Sequence, residues 1–332
     1  MSLKEAITTA PRLLVEATLQ PLQTHRFQPT GFPDLGAARY TAPDGSDMLL
    51  VESPQSVANR LETAILDDDG KLLPELAGLP YIQVTRHGKL LTSSLTEAHR
   101  MNSPYILEGA DRSFFNKLLE ELGSGKLTGP VDIRKLAHTV FKHDANSVLH
   151  GVFLAKKEIS GGRYRLSRVL SGFIEATGVS LAESGGVKND RVNPSGSTKE
   201  GFGNVPFHRS EFTAKKITAC FNLDLARLRG YGLPPQGLDL LVHLALLKIC
   251  RFLENGLRLR TACDLEAVSL TITRPKDLKM PSMQELVAAC QAGIKACKGT
   301  FADPPVTQVI YNDKLKTGKD EDEDEEPSED AK

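Results

Sequence analysis

Leu13, Val15, Ala17 and Leu19 alternate with polar or outward neighbours through RLLVEATLQPL (12–22), a period-two pattern that predicts a half-buried strand. A second apolar run, DMLLVE (47–52), predicts another strand and breaks at Ser53-Pro54. There the period changes to that of a helix, with Val57, Leu61, Ala64 and Ile65 as the buried stripe. Ser53 suits the N-cap of this helix and Pro54 its first residue. PYIQVTRHGKLLTSSL (80–95) reads as a hairpin turning at His87-Gly88, and helical patterns follow over 113–122 and 131–142. Strand-like stretches are SVLHGVFLA (147–155), RYRLSRVLSGFIEATGVSL (163–181) and FTAKKITACFNLDL (212–225). PPQGLDLLVHLALLKICRFLENG (234–256) is the best-marked helix, with prolines at its start and Asn-Gly at its end. RLRTACDLEAVSLTI (258–272) predicts a strand and 282–298 a last helix. Strands and helices mix without strict βα alternation, so the expected fold class is α+β with an antiparallel sheet.

Composition changes this picture in three places. RFQPTGFPDLGAARYTAPDG (26–45) is long for a mere connection. ESGGVKNDRVNPSGSTKEGFGNVPFHR (183–209) is too rich in Gly, Ser, Asn and Pro for a packed core and predicts a protruding hairpin or flexible arm. The terminus carries nine acids and one lysine in residues 320–332, and disorder is expected from about Lys314 onward. The expected organisation is therefore one domain over residues 1–313 and an acidic tail over 314–332.

Charge follows the same division. The chain of 332 residues has a formal net charge of −1, yet without residues 320–332 it holds 40 Lys and Arg against 33 Asp and Glu, a net of +7. Residues 156–216 alone contribute +5 of that surplus, with eleven bases and six acids. A basic body with an acidic tail suggests a polyanion partner, with solvated lysines as the plainer reading. No apolar run reaches the eighteen or so residues of a membrane span, and the amino terminus lacks a signal-peptide centre. The five cysteines form no CxxC pair, which favours reduced thiols in a cytoplasmic protein without membrane association.

Enzyme signals are weak. GSGKLTG (123–129) lacks the spacing of a phosphate loop and follows a helix rather than a strand. His138 and His143 are five apart, the wrong interval for one helical face, so no metal site and no cofactor is expected. Three clusters suit a polyanion better. In the first, Gln55, Ser56, Asn59 and Arg60 gather beside the positive end of their helix, either as an anion site or as a solvated polar face. The second, TSSLTEAHRMNSPYI (92–106), brings Ser93, Ser94, His99 and Arg100 together in what is otherwise a Ser/Pro-marked connection. In the third, GGRYRLSR (161–168), Arg163 and Arg165 would share one strand face with Tyr164 opposite, an interleaving that suits single-stranded nucleic acid or equally a solvated strand.

RFQPTGFPDLGAARY (26–40), LLVESPQSVANRLE (49–62), TSSLTEAHRMNSPYIL (92–107), GGRYRLSRVLSGFIEA (161–176) and FNLDLARLRGYGL (221–233) together resemble one family. It is the backbone subunit of the type I-G (formerly I-U) CRISPR interference complex, Cascade, of the RAMP superfamily; the resemblance covers most of residues 10–275. The resemblance implies an RRM-like (ferredoxin-like) antiparallel-sheet palm with finger and thumb insertions. It implies a non-catalytic subunit whose copies polymerise as a helical filament along a CRISPR RNA, with target DNA and other Cascade subunits as further partners. Under it, Gln55, Ser56, Asn59 and Arg60 hold guide phosphates. Residues 183–209 are the candidate thumb, with Lys188, Arg191, Lys199 and Arg209 as RNA contacts and Phe202 or Phe207 as a base wedge. Arg60→Ala should then weaken RNA binding without unfolding the protein. The enzyme alternative is an endoribonuclease cutting target RNA through the loop aspartate Asp34, as some related type III subunits do. A guide-processing nuclease would instead need a general acid or base such as His99.

Overall fold

In the computed structural model of the chain, residues 2–32, 35–123 and 130–312 are described; Asp34, most of the 123–129 glycine turn and the acidic tail lie outside them. The chain divides into two compact units, one formed by residues up to Ala77 and by Arg168–Lys298, the other by Gly78–Ser167 and the residues from Gly299.

The first unit contains the strands β1 (Arg12–Pro21), β2 (Asp47–Glu52), β3 (Leu170–Thr177), β4 (Ser180–Lys188), β5 (Val205–Thr213), β6 (Lys216–Asp224), β7 (Leu257–Arg260) and β8 (Cys263–Arg274). Its helices are α1 (Leu3–Thr9), α2 (Pro54–Thr63), α3 (Leu225–Gly230), α4 (Pro235–Glu254) and α5 (Met283–Cys297). Seven strands form one sheet in the order β7-β8-β1-β6-β3-β2, closed at the β2 edge by a short strand, Arg39–Thr41. Every pairing in it is antiparallel. In chain order β1, α2, β3, β6, α4 and β8 run β-α-β-β-α-β, with their strands adjacent as 8-1-6-3.

The expected alternation of β1 buries Leu13, Val15, Ala17 and Leu19, and β6 buries Ile217, Ala219, Phe221 and Leu223 in register with them. α2 and α4 pack on this sheet. Ser53 accepts a hydrogen bond from the Ser56 N–H and opens α2, whose Val57, Ala58 and Leu61 face inward. The contact between α2 and β3 is close because Gly172 has no Cβ, which would stand 2.6 Å from Phe221 Cδ1 and 3.0 Å from Val57 Cγ1. α4 is apolar around most of its circumference because α5 covers a second side. Between β3 and β6 the chain leaves the sheet as a two-stranded ribbon of β4 and β5, paired from Ser180–Thr213 to Lys188–Val205.

Among the described residues the second unit holds a three-stranded sheet ordered Val306–Ile310, Tyr81–Arg86, Lys89–Ser93, and four helices, Pro104–Leu107, Ser113–Leu122, Ile133–His143 and Ala145–His150. The hairpin turns at His87 and Gly88, whose φ values of 50° and 73° are those a two-residue primed turn requires. Phe114, Phe115, Leu118, Leu136, Val140 and Phe141 are buried in its core.

Four expectations change. Residues 147–155 are not one strand: Asp144 caps a helix over Ala145–His150, leaving only Val152–Leu154 extended. Residues 163–181 hold Tyr164–Leu166 in the second unit, β3 in the first after a break at Ser167–Val169, and the start of β4 at Ser180. The 212–225 run is interrupted at Ala214–Lys215, and 258–272 folds into the β7–β8 hairpin, with Ala262 at φ 59°. In the last three an apolar run permits extension while a turn, invisible to periodicity, divides it; in the first, the Asp144 cap turns the run into a helix.

Candidate nucleic-acid interface

The polar face of α2 is built around a residue that its own cluster omits. Glu52, the last residue of β2, is 1% exposed. Its carboxylate accepts hydrogen bonds from Ser56 Oγ and, at 3.1 Å, from Arg60 Nε, and it pairs with the Arg260 guanidinium. Arg60 also donates to the Leu259 carbonyl at 2.5 Å, while Arg260 donates to the carbonyls of Gln28 (3.0 Å) and Val51 (3.1 Å). Burial lowers both guanidinium pKa values from their ordinary position. The exposed end of the face is separate: Gln55 donates to Asn59 Oδ1 at 3.1 Å and accepts from Arg168 at 3.0 Å. Ser56 and Arg60 stand four apart on α2 and Glu52 directly precedes its Ser53 N-cap, so an acid at the helix start is the one trace of the network in the sequence. Arg260 carries no such signal, because β7 reads only as an alternating strand.

Arg260 reaches from this network to a cleft of about 770 Å³. Its walls include Gln28 and Gly36 of the first loop, Phe207, His208 and Arg209 of the ribbon, and Arg260 itself. Gly31 and Gly36 come close here: a Cβ on Gly31 would stand 3.0 Å from the Gly36 carbonyl oxygen. The base of the ribbon is tied to the same loop by reciprocal 2.9 Å backbone hydrogen bonds between Phe27 and Phe212. Buried Glu211 adds contacts to Arg26 (3.2 Å), Ser184 (3.1 Å) and Arg209 (3.9 Å).

Beyond that base the ribbon is exposed. Lys188, Arg191 and Lys199 lie at its surface. Phe202 and Phe207 are each 49% exposed, and the Arg209 guanidinium sits 5.9 Å from the Phe207 ring centre.

The remaining sequence candidates belong to the second unit. Ser93 and Ser94 are buried; Ser93 Oγ accepts from the Leu95 N–H within its own turn, and Ser94 Oγ accepts from the Ile82 N–H of the neighbouring strand, so both hydroxyls are used inside the fold. His99 is exposed, while Arg100 is partly buried and donates to the Gly151 carbonyl at 3.0 Å. Arg163 and Arg165 are exposed as the alternation requires, with Arg163 Nε on the Ser160 carbonyl. Tyr164 is buried with its hydroxyl on the Leu122 carbonyl, so its ring is not a stacking surface. Among the described residues no group of three or more His, Cys, Asp or Glu could hold a metal ion, and no helix is long and apolar enough to cross a membrane.

The fold and site define an α+β protein with an antiparallel sheet, a cleft lined by Arg209 and Arg260, and an exposed ribbon on which Lys188, Arg191 and Lys199 alternate with acids. More particularly, the chain belongs to the family of CRISPR-associated protein GSU0053, whose family model matches residues 13–181. No curated protein matches it. Among solved structures it is similar to a chain of a "CRISPR RNA-guided surveillance complex, pre-nicking" (TM-score 0.43, 12% identity, 80% of this chain and 77% of that one). A chain of a "CRISPR RNA-guided surveillance complex" gives a TM-score of 0.38 at 13% identity over 80% and 71% of the two chains. Csc2 of Thermofilum pendens gives 0.33 at 10% identity over 81% and 68%.

Proposed function

We propose that the protein is a non-catalytic CRISPR RNA-binding backbone subunit of a type I-G Cascade complex. Copies of it polymerise along the guide in the cytoplasm, beside other Cascade subunits, and present the guide for pairing with target DNA. In this reading the β-α-β-β-α-β core is an RRM-like (ferredoxin-like) palm and the β4–β5 ribbon is the thumb. Family membership supports the CRISPR setting. The observation that carries RNA binding is the ribbon, which exposes Lys188, Arg191 and Lys199 beside two half-exposed phenylalanines. Cations along such an arm follow phosphates regardless of sequence, and aromatic rings stack on bases. Arg209 and Arg260 line the adjoining cleft, each beside a carboxylate of its own, Glu211 and Glu52.

The test is filter binding of a guide-length RNA across a salt series. Affinity should fall steeply with salt, and Arg191→Ala with Lys199→Ala should reduce the slope by about 1.4, two single-strand phosphate contacts at about 0.7 each. A salt-independent affinity, or none, would reject the reading. The non-catalytic part has its own test in assembled complex, matching RNA and a divalent metal. Cuts at regular spacing that vanish in Asp34→Ala would replace it with the endoribonuclease.

A further inference from the structure

The tip of the ribbon contains two acids where a polyanion-binding arm should avoid them: Glu200 points to solvent beside Lys199, and Asp190 does not. Asp190 follows Lys188 and precedes Arg191, and its side chain turns back into the tip. Oδ1 accepts hydrogen bonds from the backbone N–H groups of Val192 (2.8 Å) and Asn193 (3.0 Å), and Oδ2 accepts from Gly203 (2.8 Å). Its own N–H donates to Asn204 Oδ1 at 2.8 Å, so Asp190 joins both strands of the tip. These donors, Asn193 foremost, hold its carboxyl below the ordinary carboxylate range.

The turn it organises is compact for a segment outside the core. Gly203 is buried at φ 83°, and a Cβ there would stand 2.3 Å from the Gly196 carbonyl oxygen. A Cβ on Gly196 would stand 2.5 Å from both Asn193 Nδ2 and Phe202 Cβ. Phe202 N–H donates to the Ser197 carbonyl at 3.0 Å, and Asn204 N–H to Pro194 at 3.2 Å. Arg191, Lys199 and Phe202 therefore leave a closed frame.

We propose that Asp190 is a positioning residue, which locks the ribbon tip into the one geometry that presents Arg191, Lys199 and Phe202 to a nucleic-acid strand. The inference rests on the RNA-binding reading of the ribbon. Its physical content is preorganisation: side chains already placed lose less freedom on binding, so the frame strengthens binding although its central group is an anion.

That opposition of signs supplies the test. If Asp190 acted by charge alone, Asp190→Asn would remove a repulsion and tighten RNA binding. As a positioning residue, the same variant turns an amide NH2 toward a backbone donor and loosens the tip, weakening binding by about five- to tenfold. Gly203→Ala breaks the frame without changing charge and should weaken binding by a similar factor. Both variants should keep the wild-type melting temperature, because among the described residues the hydrogen bonds of Asp190 and Gly203 close within the tip. Hydrogen exchange on the full chain reads the frame directly: the amides of Val192, Asn193 and Gly203 should be protected in the wild type and released in Asp190→Asn. Tighter binding by Asp190→Asn, or wild-type binding by Gly203→Ala, would overturn the proposal. If the wild type binds no RNA, the proposed function fails, and exchange still decides the frame: unprotected wild-type amides overturn it.

Discussion

Replacing Glu52 by glutamine keeps its shape and removes the charge that three side chains share. In the native protein a carboxylate 1% exposed receives Ser56 and faces the guanidiniums of Arg60 and Arg260. Breaking a buried ion pair by removing one partner costs about 3–5 kcal/mol, because the remaining charge stays desolvated. Here the arginines are less trapped than that, with side chains 32% and 25% exposed and with carbonyl acceptors at Leu259, Gln28 and Val51. The lower end, about 3 kcal/mol, is therefore expected. At roughly 2–4 °C per kcal/mol for a unit of about 200 residues, the melting temperature should fall by about 6–12 °C. Urea unfolding checks the free energy, and a cycle with Arg60→Ala isolates the Glu52–Arg60 coupling. A loss below about 1 kcal/mol would refute the reasoning, since it would mean that water replaces the carboxylate at no cost. The same geometry revises the expectation for Arg60→Ala, which now carries a stability loss besides any loss of RNA affinity.

Three further outcomes follow from other parts of the chain. Asp144 caps the Ala145–His150 helix within reach of Ser147, Ser94 and Arg100, and burial raises its carboxyl from 3.8 to about 6. Its contribution is thus full below about pH 4 and is lost as pH rises through about 6; at about 1.4 kcal/mol per pH unit this is about 3 kcal/mol. Asp144→Asn keeps the cap and should flatten urea midpoints over that window, whereas an unchanged pH profile would show that Asp144 is not the titrating group. Gly172→Ala should cost about 1–3 kcal/mol by forcing Val57 and Phe221 apart, read as a lower urea midpoint; a neutral substitution would mean that α2 slides freely on the sheet. Burial pushes the thiols of Cys220 and Cys263 up to about 11 and those of Cys250 and Cys290 to about 12. A chromogenic disulfide reagent at pH 7.5 should therefore react slowly with native protein, with partly buried Cys220 first, and rapidly after denaturation.

Periodicity reveals which face of an element is buried, and it does so well where the element is long. β1, α2, α4, α5 and the His87-Gly88 hairpin were legible for that reason. It does not reveal what covers the face. The β1 alternation suits any half-buried strand, and its placement between β6 and β8 depends on residues some 200 and 250 positions away. The parallel strand Val306–Ile310 exists only because Tyr81–Arg86 offers it an edge, so no local signal could mark it. The same limit explains the candidate site. Gln55, Ser56, Asn59 and Arg60 were found as one polar face because their spacing is local. Their division was hidden: Ser56 and Arg60 turn inward to Glu52, while Gln55 and Asn59 remain at the surface. The anion drawn to this helix is the protein's own carboxylate, held by the residue whose side chain also lines the cleft. On the proposed reading a phosphate would meet Arg260 already oriented by Glu52, and the cleft and the ribbon tip are each organised by an acid, Glu52 below the one and Asp190 within the other.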